Sequence, residues 1–174
     1  MPPPDGGYHP LPSDAAAEYG SFGFPAIDLF CGAGGLSLGL ADAGFRVAAA
    51  MDNDPVAVRT YAHTVGTHVD AAPIEQVSAR DILDRAGLGR GECTLLAGGP
   101  PCQGFSVQRR GERDDARNGL VLQFIRLVEE VRPRFFLMEN VGGLLSKHGQ
   151  RFLREIAVRA SRLDYVIHVE VLDA

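Results

Sequence analysis

The sequence predicts an α/β domain: a mostly parallel, doubly wound sheet of strand order 3-2-1-4-5, with helices on both faces. Three observations lead there. A short apolar run, residues 26–30, ends in the glycine-rich turn Cys31-Gly32-Ala33-Gly34-Gly35 and continues into a helical stretch. A second apolar run, residues 45–51, ends on the acid Asp52. A third, residues 93–97, stops at Gly98-Gly99-Pro100-Pro101-Cys102. Strand, helix and strand in that order make a βαβ unit, which requires a parallel sheet and a right-handed crossover.

The totals set the class. A chain of 174 residues with 45% hydrophobic and 22% charged residues can bury one real core. The net charge of −5 does not point to nucleic acid, although binding depends on a local basic face and not on the total. The three cysteines, Cys31, Cys93 and Cys102, have no CxxC spacing, which fits a reducing cytoplasm. The five histidines are scattered, so no metal site is expected. No apolar run is long enough to span a bilayer, so no membrane partner is expected.

Residues 1–24 are rich in Pro, Gly, Ala and Ser without apolar period, and read as a disordered extension. The domain is placed at residues 25–174. After the first strand, residues 36–43 form a helix that Gly44 ends as a C-cap. Residues 45–51 form the second strand. Residues 55–64 form a helix with Asp54 as N-cap and Pro55 at its first position. Residues 65–91 read as irregular, with a short helix at 82–86 before which Asp81 stands in an N-cap setting. Residues 93–97 form a strand. Residues 107–118 are polar and Arg-rich, without apolar period. Apolar positions 120, 121, 124, 125, 128 and 131 have the helical period. Residues 135–138 read as a buried strand ending at Glu139, residues 150–163 as a helix, and residues 165–172 as an alternating strand.

Two stretches carry chemistry. The glycine turn with an acid 20 residues after Gly32 is a nucleoside-binding signal, the acid facing ribose hydroxyls. A dinucleotide fingerprint needs a third glycine where Ser37 stands, so an adenosine fits better than a pyrophosphate. In the second stretch, two prolines fix the backbone ahead of Cys102 at a strand's carboxyl end, which presents a thiolate. A buried, inert cysteine is the alternative. A Glu139 buried at a strand end is costly without a partner, which favours function.

The run Asp28-Leu29-Phe30-Cys31-Gly32-Ala33-Gly34-Gly35-Leu36-Ser37, the run Pro100-Pro101-Cys102-Gln103-Gly104-Phe105-Ser106 and the triplet Glu139-Asn140-Val141 resemble motifs of the DNA cytosine-5 methyltransferases. The resemblance implies a Rossmann-like fold that binds S-adenosylmethionine at Phe30, Gly32, Gly34, Asp52, Asp81 and Pro101. Asp52 stands where the family usually has Glu. It implies Cys102 as nucleophile and Glu139 as the residue that holds the cytosine. Ser106, Arg109 and Arg110 would contact phosphates of double-stranded DNA, and Arg117-Asn118-Gly119-Leu120 resembles a motif leading into a helix beside the cofactor. The implied reaction is methyl transfer to carbon 5 of cytosine on a flipped-out base, with cytoplasmic location and a cognate restriction endonuclease as companion.

The resemblance spans only the front half of a family member. The later arginine motif, the last strand and the target-recognition region are not present. The alternative reading is thus a truncated or split half that binds cofactor or a complementing C-terminal chain without catalysis. A dinucleotide-dependent oxidoreductase is a further alternative, which Ser37 and the Cys102 and Glu139 motifs oppose.

Overall fold

The computed structural model describes residues 23–101, 119–146 and 149–172. Strand β1 (Phe24–Leu29) is central in a five-stranded sheet. Beside it lie β2 (Phe45–Asp52) and β4 (Leu95–Gly98), with β3 (Val69–Ala71) and β5 (Phe135–Met138) at the edges. The order is β3-β2-β1-β4-β5 and every pair is parallel, as the sequence predicts. Ala26, Ile27, Asp28 and Leu29 have no exposed surface, because a central strand is covered on both faces.

Helices α1 (Gly35–Asp42) and α2 (Pro55–Thr64) cover one face. There Leu40 packs with Ala26, Leu95 and Ala97, and Tyr61 packs with Ala50 and Val69. Helices α3 (Ala79–Ala86), α4 (Gly119–Val131) and α5 (Gln150–Ser161) cover the other. Their residues Ile82, Phe124, Val128 and Ile156 form the main core with Ile27, Leu29 and Leu96. Asp54 caps α2 as predicted, its Oδ1 accepting from the Val56 N–H at 2.8 Å. Residues 1–22 lie outside the described residues, and β1 begins at Phe24, one residue before the expected domain start.

Four expectations need correction. The stretch 65–91 is not irregular. It holds β3, a 3-10 turn (Ile74–Gln76) and an eight-residue α3. A three-residue strand is too short to show a period. Asp81 is not the N-cap of α3; Ser78 is, and Asp81 closes a capping box from the third position. Strand β5 is not buried: Phe135 is 58% and Leu137 45% exposed. They lie level with Leu95 and Ala97 on the α1 side, but no described element reaches over them. Residues 165–172 are not a strand. Tyr165 and Ile167 pack on the main core and the Tyr165 hydroxyl donates to the Pro133 carbonyl, but no ladder forms. A strand needs a neighbour, and none lies alongside among the described residues.

Candidate active site

The first half of the site is the turn between β1 and α1. Its backbone is left-handed at Phe30 (φ 60°), Gly32 (φ 55°) and Gly34 (φ 103°). For Phe30 such a conformation costs about 1 kcal/mol or more, so the surroundings must impose it. They do so by two backbone bonds: Cys31 N–H donates to the Met51 carbonyl at 3.0 Å, and Gly34 N–H to the Cys31 carbonyl at 2.9 Å. Gly34 leaves no room for a side chain, since a Cβ there would lie 2.4 Å from Val65 Cγ2. At Gly32 the same direction is open space.

Asp52, at the end of β2, reaches across this turn. Its Oδ2 accepts from Gly32 N–H at 2.9 Å and its Oδ1 from Asp54 N–H at 2.8 Å. Each carboxylate oxygen accepts two bonds, so each keeps one lone pair. Asp81 lies at the start of α3 and is exposed. Its Oδ2 accepts from the Ser78 hydroxyl at 2.6 Å, which lowers its pKa from the ordinary value.

Below the turn lies a buried polar chain that the sequence reading missed. Ser37 Oγ donates to Asp28 Oδ2 at 2.6 Å, and the Tyr61 hydroxyl donates to Ser37 at 2.8 Å. Burial pushes the Asp28 carboxyl up to about 6; the Ser37 bond opposes this and the nearby Asp52 adds to it. The signal was present in part: an Asp inside an apolar strand needs a partner. Its partners, however, come from distant helices. Ser37 therefore stands in place of a third glycine because it holds Asp28.

The second half of the site is where β4 and β5 end side by side. Gly98 adjoins Leu29 in the sheet, and a Cβ on it would lie 2.4 Å from the Leu29 carbonyl oxygen. The tight contact brings the Gly98-Gly99-Pro100-Pro101 turn directly beside the glycine turn. Glu139 N–H donates to the Gly98 carbonyl at 3.0 Å, and a Cβ on Gly99 would lie 3.0 Å from Glu139 Oε2. Asn140 Nδ2 donates to the Pro100 carbonyl at 2.9 Å. Asn140 thus ties the end of β5 to the proline turn, a function that no spacing in the sequence reveals. Pro101 is half-buried at the end of that turn.

Glu139 is exposed, not buried. The burial argument for it fails because β5 is the sheet edge. Its position beside Gly99 is what brings it to the site. Cys102, Ser106, Arg109 and Arg110 lie outside the described residues, as do Arg117 and Asn118. The other two cysteines are buried. Burial pushes the Cys31 thiol up to about 12, with Asp28 and Asp52 adding, and the Cys93 thiol up to about 11. Neither is a thiolate near neutral pH. Among the described residues, no group of three or more His, Cys, Asp or Glu could hold a metal ion, and no helix is long and apolar enough to cross a membrane.

A parallel sheet with a strained glycine turn after β1 and an acid at the end of β2 that grips this turn defines a doubly wound α/β protein. The ends of β4 and β5 add a second set of polar groups beside that turn. This chain belongs to the C-5 cytosine-specific DNA methylase family, whose model matches residues 24–174. It is 44% identical over 152 residues to type II methyltransferase M.AgeI of Thalassovita gelatinovora, across 85% of this chain and 35% of that one. To type II methyltransferase M.XorII of Xanthomonas oryzae pv. oryzae it is 38% identical over 151 residues, across 85% and 36%. A crystal structure described as a DNA modification methyltransferase encoded within an E. coli prophage superposes with a TM-score of 0.67 at 36% identity. The match covers 80% of this chain and 38% of that one. The chain spans little more than a third of the length of these relatives.

The cofactor of this family is S-adenosylmethionine. The residues present fit an adenosine-bearing group. The turn is open at Gly32, and Asp52 keeps a free lone pair on each oxygen for hydroxyl donors.

Proposed function

We propose that this chain is the cofactor-binding and nucleophile-bearing part of an enzyme that methylates carbon 5 of cytosine in double-stranded DNA. The observation that carries the reading is the convergence at the ends of β4 and β5. Glu139 stands against Gly99, and Asn140 holds the Pro100 carbonyl two residues before Cys102. This lies beside the glycine turn, because β1 and β4 are sheet neighbours.

In this reading Asp52 accepts from ribose hydroxyls, Asp81 from the adenine amino group, and Phe30, Gly32, Gly34 and Pro101 line the seat. S-adenosylmethionine supplies an electrophilic methyl group. Carbon 5 of cytosine is a poor nucleophile until a thiolate adds to carbon 6. Cys102 supplies that thiolate: its sulfur bonds to carbon 6, and the ring electrons shift towards nitrogen 3. Glu139 holds nitrogen 3 and the exocyclic amine, which favours protonation as charge develops there. Carbon 5 of the enamine so formed would then bond to the methyl carbon as its bond to the sulfonium sulfur breaks, the electron pair staying on sulfur so that S-adenosylhomocysteine leaves. A base then removes the carbon-5 proton, and the electrons of that bond expel the Cys102 thiolate from carbon 6. The base must leave the duplex for this, and Ser106, Arg109 and Arg110 contact the phosphates around it. The high thiol pKa values of Cys31 and Cys93 leave Cys102 as the nucleophile.

A covering partner belongs to the same proposal. Phe135 and Leu137 expose apolar surface on the α1 side of β5, and residues 165–172 form no ladder with the described strands. A further segment, from the same polypeptide or a complementing C-terminal chain, would cover that face and bring the target-recognition surface. Without it the chain is a half that binds cofactor but does not transfer. The type II names of its relatives favour a restriction–modification system with a cognate endonuclease in the cytoplasm.

Duplex DNA carrying 5-fluorocytosine tests the mechanism, since fluorine at carbon 5 blocks the proton removal. With the complementing part present, a covalent adduct is expected on the peptide holding Cys102, and none in Cys102→Ser. An adduct on Cys31 or Cys93 refutes the assignment.

A further inference from the structure

The hydrogen bonds beneath the glycine turn all run in one direction. Asp28 accepts from Ser37, and Ser37 accepts from Tyr61. The Tyr61 oxygen lies 3.0 Å from His68 Nε2. Because Tyr61 commits its proton to Ser37, it accepts from His68, whose proton is thereby assigned to Nε2. The chain crosses four places in the fold: β1, α1, α2 and the residue just before β3. Asp28, Ser37 and Tyr61 have no exposed surface, so water cannot replace a lost donor.

We propose that Asp28, Ser37, Tyr61 and His68 form a positioning chain that holds residues 30–35 in the shape that receives the cofactor. The inference rests on reading that turn as the cofactor seat. Its support is geometric. The turn carries left-handed backbone at Phe30, and the two backbone bonds that impose it must themselves be held in place by what packs around the turn. Asp52 grips the turn from the β2 side through Gly32 N–H. The buried chain grips it from beneath: Asp28 lies two residues before Phe30, and Ser37 two residues after Gly35. The Tyr61 ring itself bears on Gly34, where a Cβ would lie 3.0 Å from Tyr61 Cδ2. Among the described residues Asp28 has no ion-pair partner, and its buried Oδ1 has no hydrogen-bond partner. A buried carboxylate held this way detracts from stability, so its place in the fold is explained by the geometry that it fixes.

Tyr61→Phe isolates the chain from packing, because phenylalanine keeps the ring against Gly34 and removes only the hydroxyl. Hydrogen exchange is measured on the ligand-free chain. The amides of Cys31 and Gly34, which close the turn, are expected to exchange about tenfold faster than in wild type. The β1 and β2 amides keep their rates. Ser37→Ala cuts the chain on the other side of the turn and should give the same local pattern. In parallel, the dissociation constant for S-adenosylhomocysteine should rise about tenfold in both variants. Unchanged turn amides overturn the proposal, and so does an equal rise across the whole sheet, the mark of a merely structural role. The exchange contrast is read without ligand. A wild-type chain that fails to bind S-adenosylhomocysteine therefore sinks the cofactor reading separately.

Discussion

Asp28→Asn probes an acid with no exposed surface. Its carboxyl titrates at about 6 when folded, against an ordinary value of 3.8. Between those two values the folded state binds more protons than the unfolded state. The stability contributed by the protonated acid is therefore complete at low pH and is lost as pH rises through about 6. The full difference is about 3 kcal/mol, of which about 2 kcal/mol falls between pH 4 and pH 7. Asparagine cannot ionise, yet its amide oxygen can still accept from Ser37. Its amide nitrogen would lie unpaired on the Oδ1 side, a cost of about 1–3 kcal/mol that does not vary with pH. The variant should therefore gain on wild type by about 2 kcal/mol on going from pH 4 to pH 7, whatever the offset between them. Urea denaturation followed by circular dichroism at several pH values measures this. Asp81 and Glu129, whose pKa values are lowered by Ser78 and Arg159, destabilise both proteins equally at low pH and cancel. Asp52, Cys31 and Tyr61 also interact electrostatically with Asp28, and all three remain in the variant. A difference between the two proteins that stays constant with pH would refute the account of Asp28 as a buried, destabilised carboxylate.

Three further outcomes follow from the packing. Cys31 and Cys93 should react slowly with a thiol reagent at pH 8, about a hundredfold below a free cysteine, because each is buried and held in the thiol form; rapid labelling of either on peptide mapping would contradict this. Gly98→Ala should cost about 1–3 kcal/mol in a denaturant titration, since its Cβ would sit 2.4 Å from a backbone oxygen of the central strand; an unchanged midpoint would mean that β1 and β4 are not in the observed register. Phe124→Ala should cost about 3–5 kcal/mol, whereas Phe135→Ser should change the stability of this chain by less than about 1 kcal/mol, because Phe124 has no exposed surface and Phe135 is 58% exposed; equal losses would show that β5 is covered.

The sequence by itself determined the βαβ start, the helix capped by Asp54 and the turns that stop the chain after β1 and β4. These are local: an apolar run stops, a glycine or proline turns the chain, an acid caps a helix, and each needs only its neighbours along the chain. The tertiary structure decided what depends on contacts between distant segments. Strand β3 exists because three residues find the edge of β2, not because they have a period of their own. Glu139 reads as costly from its strand, yet it is exposed, since burial depends on whether anything lies beyond β5. Residues 165–172 alternate like a strand but form no ladder among the described residues, because a ladder requires a second chain segment beside the first. Asn140 meets Pro100 across 40 residues, and Tyr61 meets Ser37 across 24. No spacing rule covers such pairs. They form where the folded sheet brings strand ends together and where burial leaves a polar group no water to turn to.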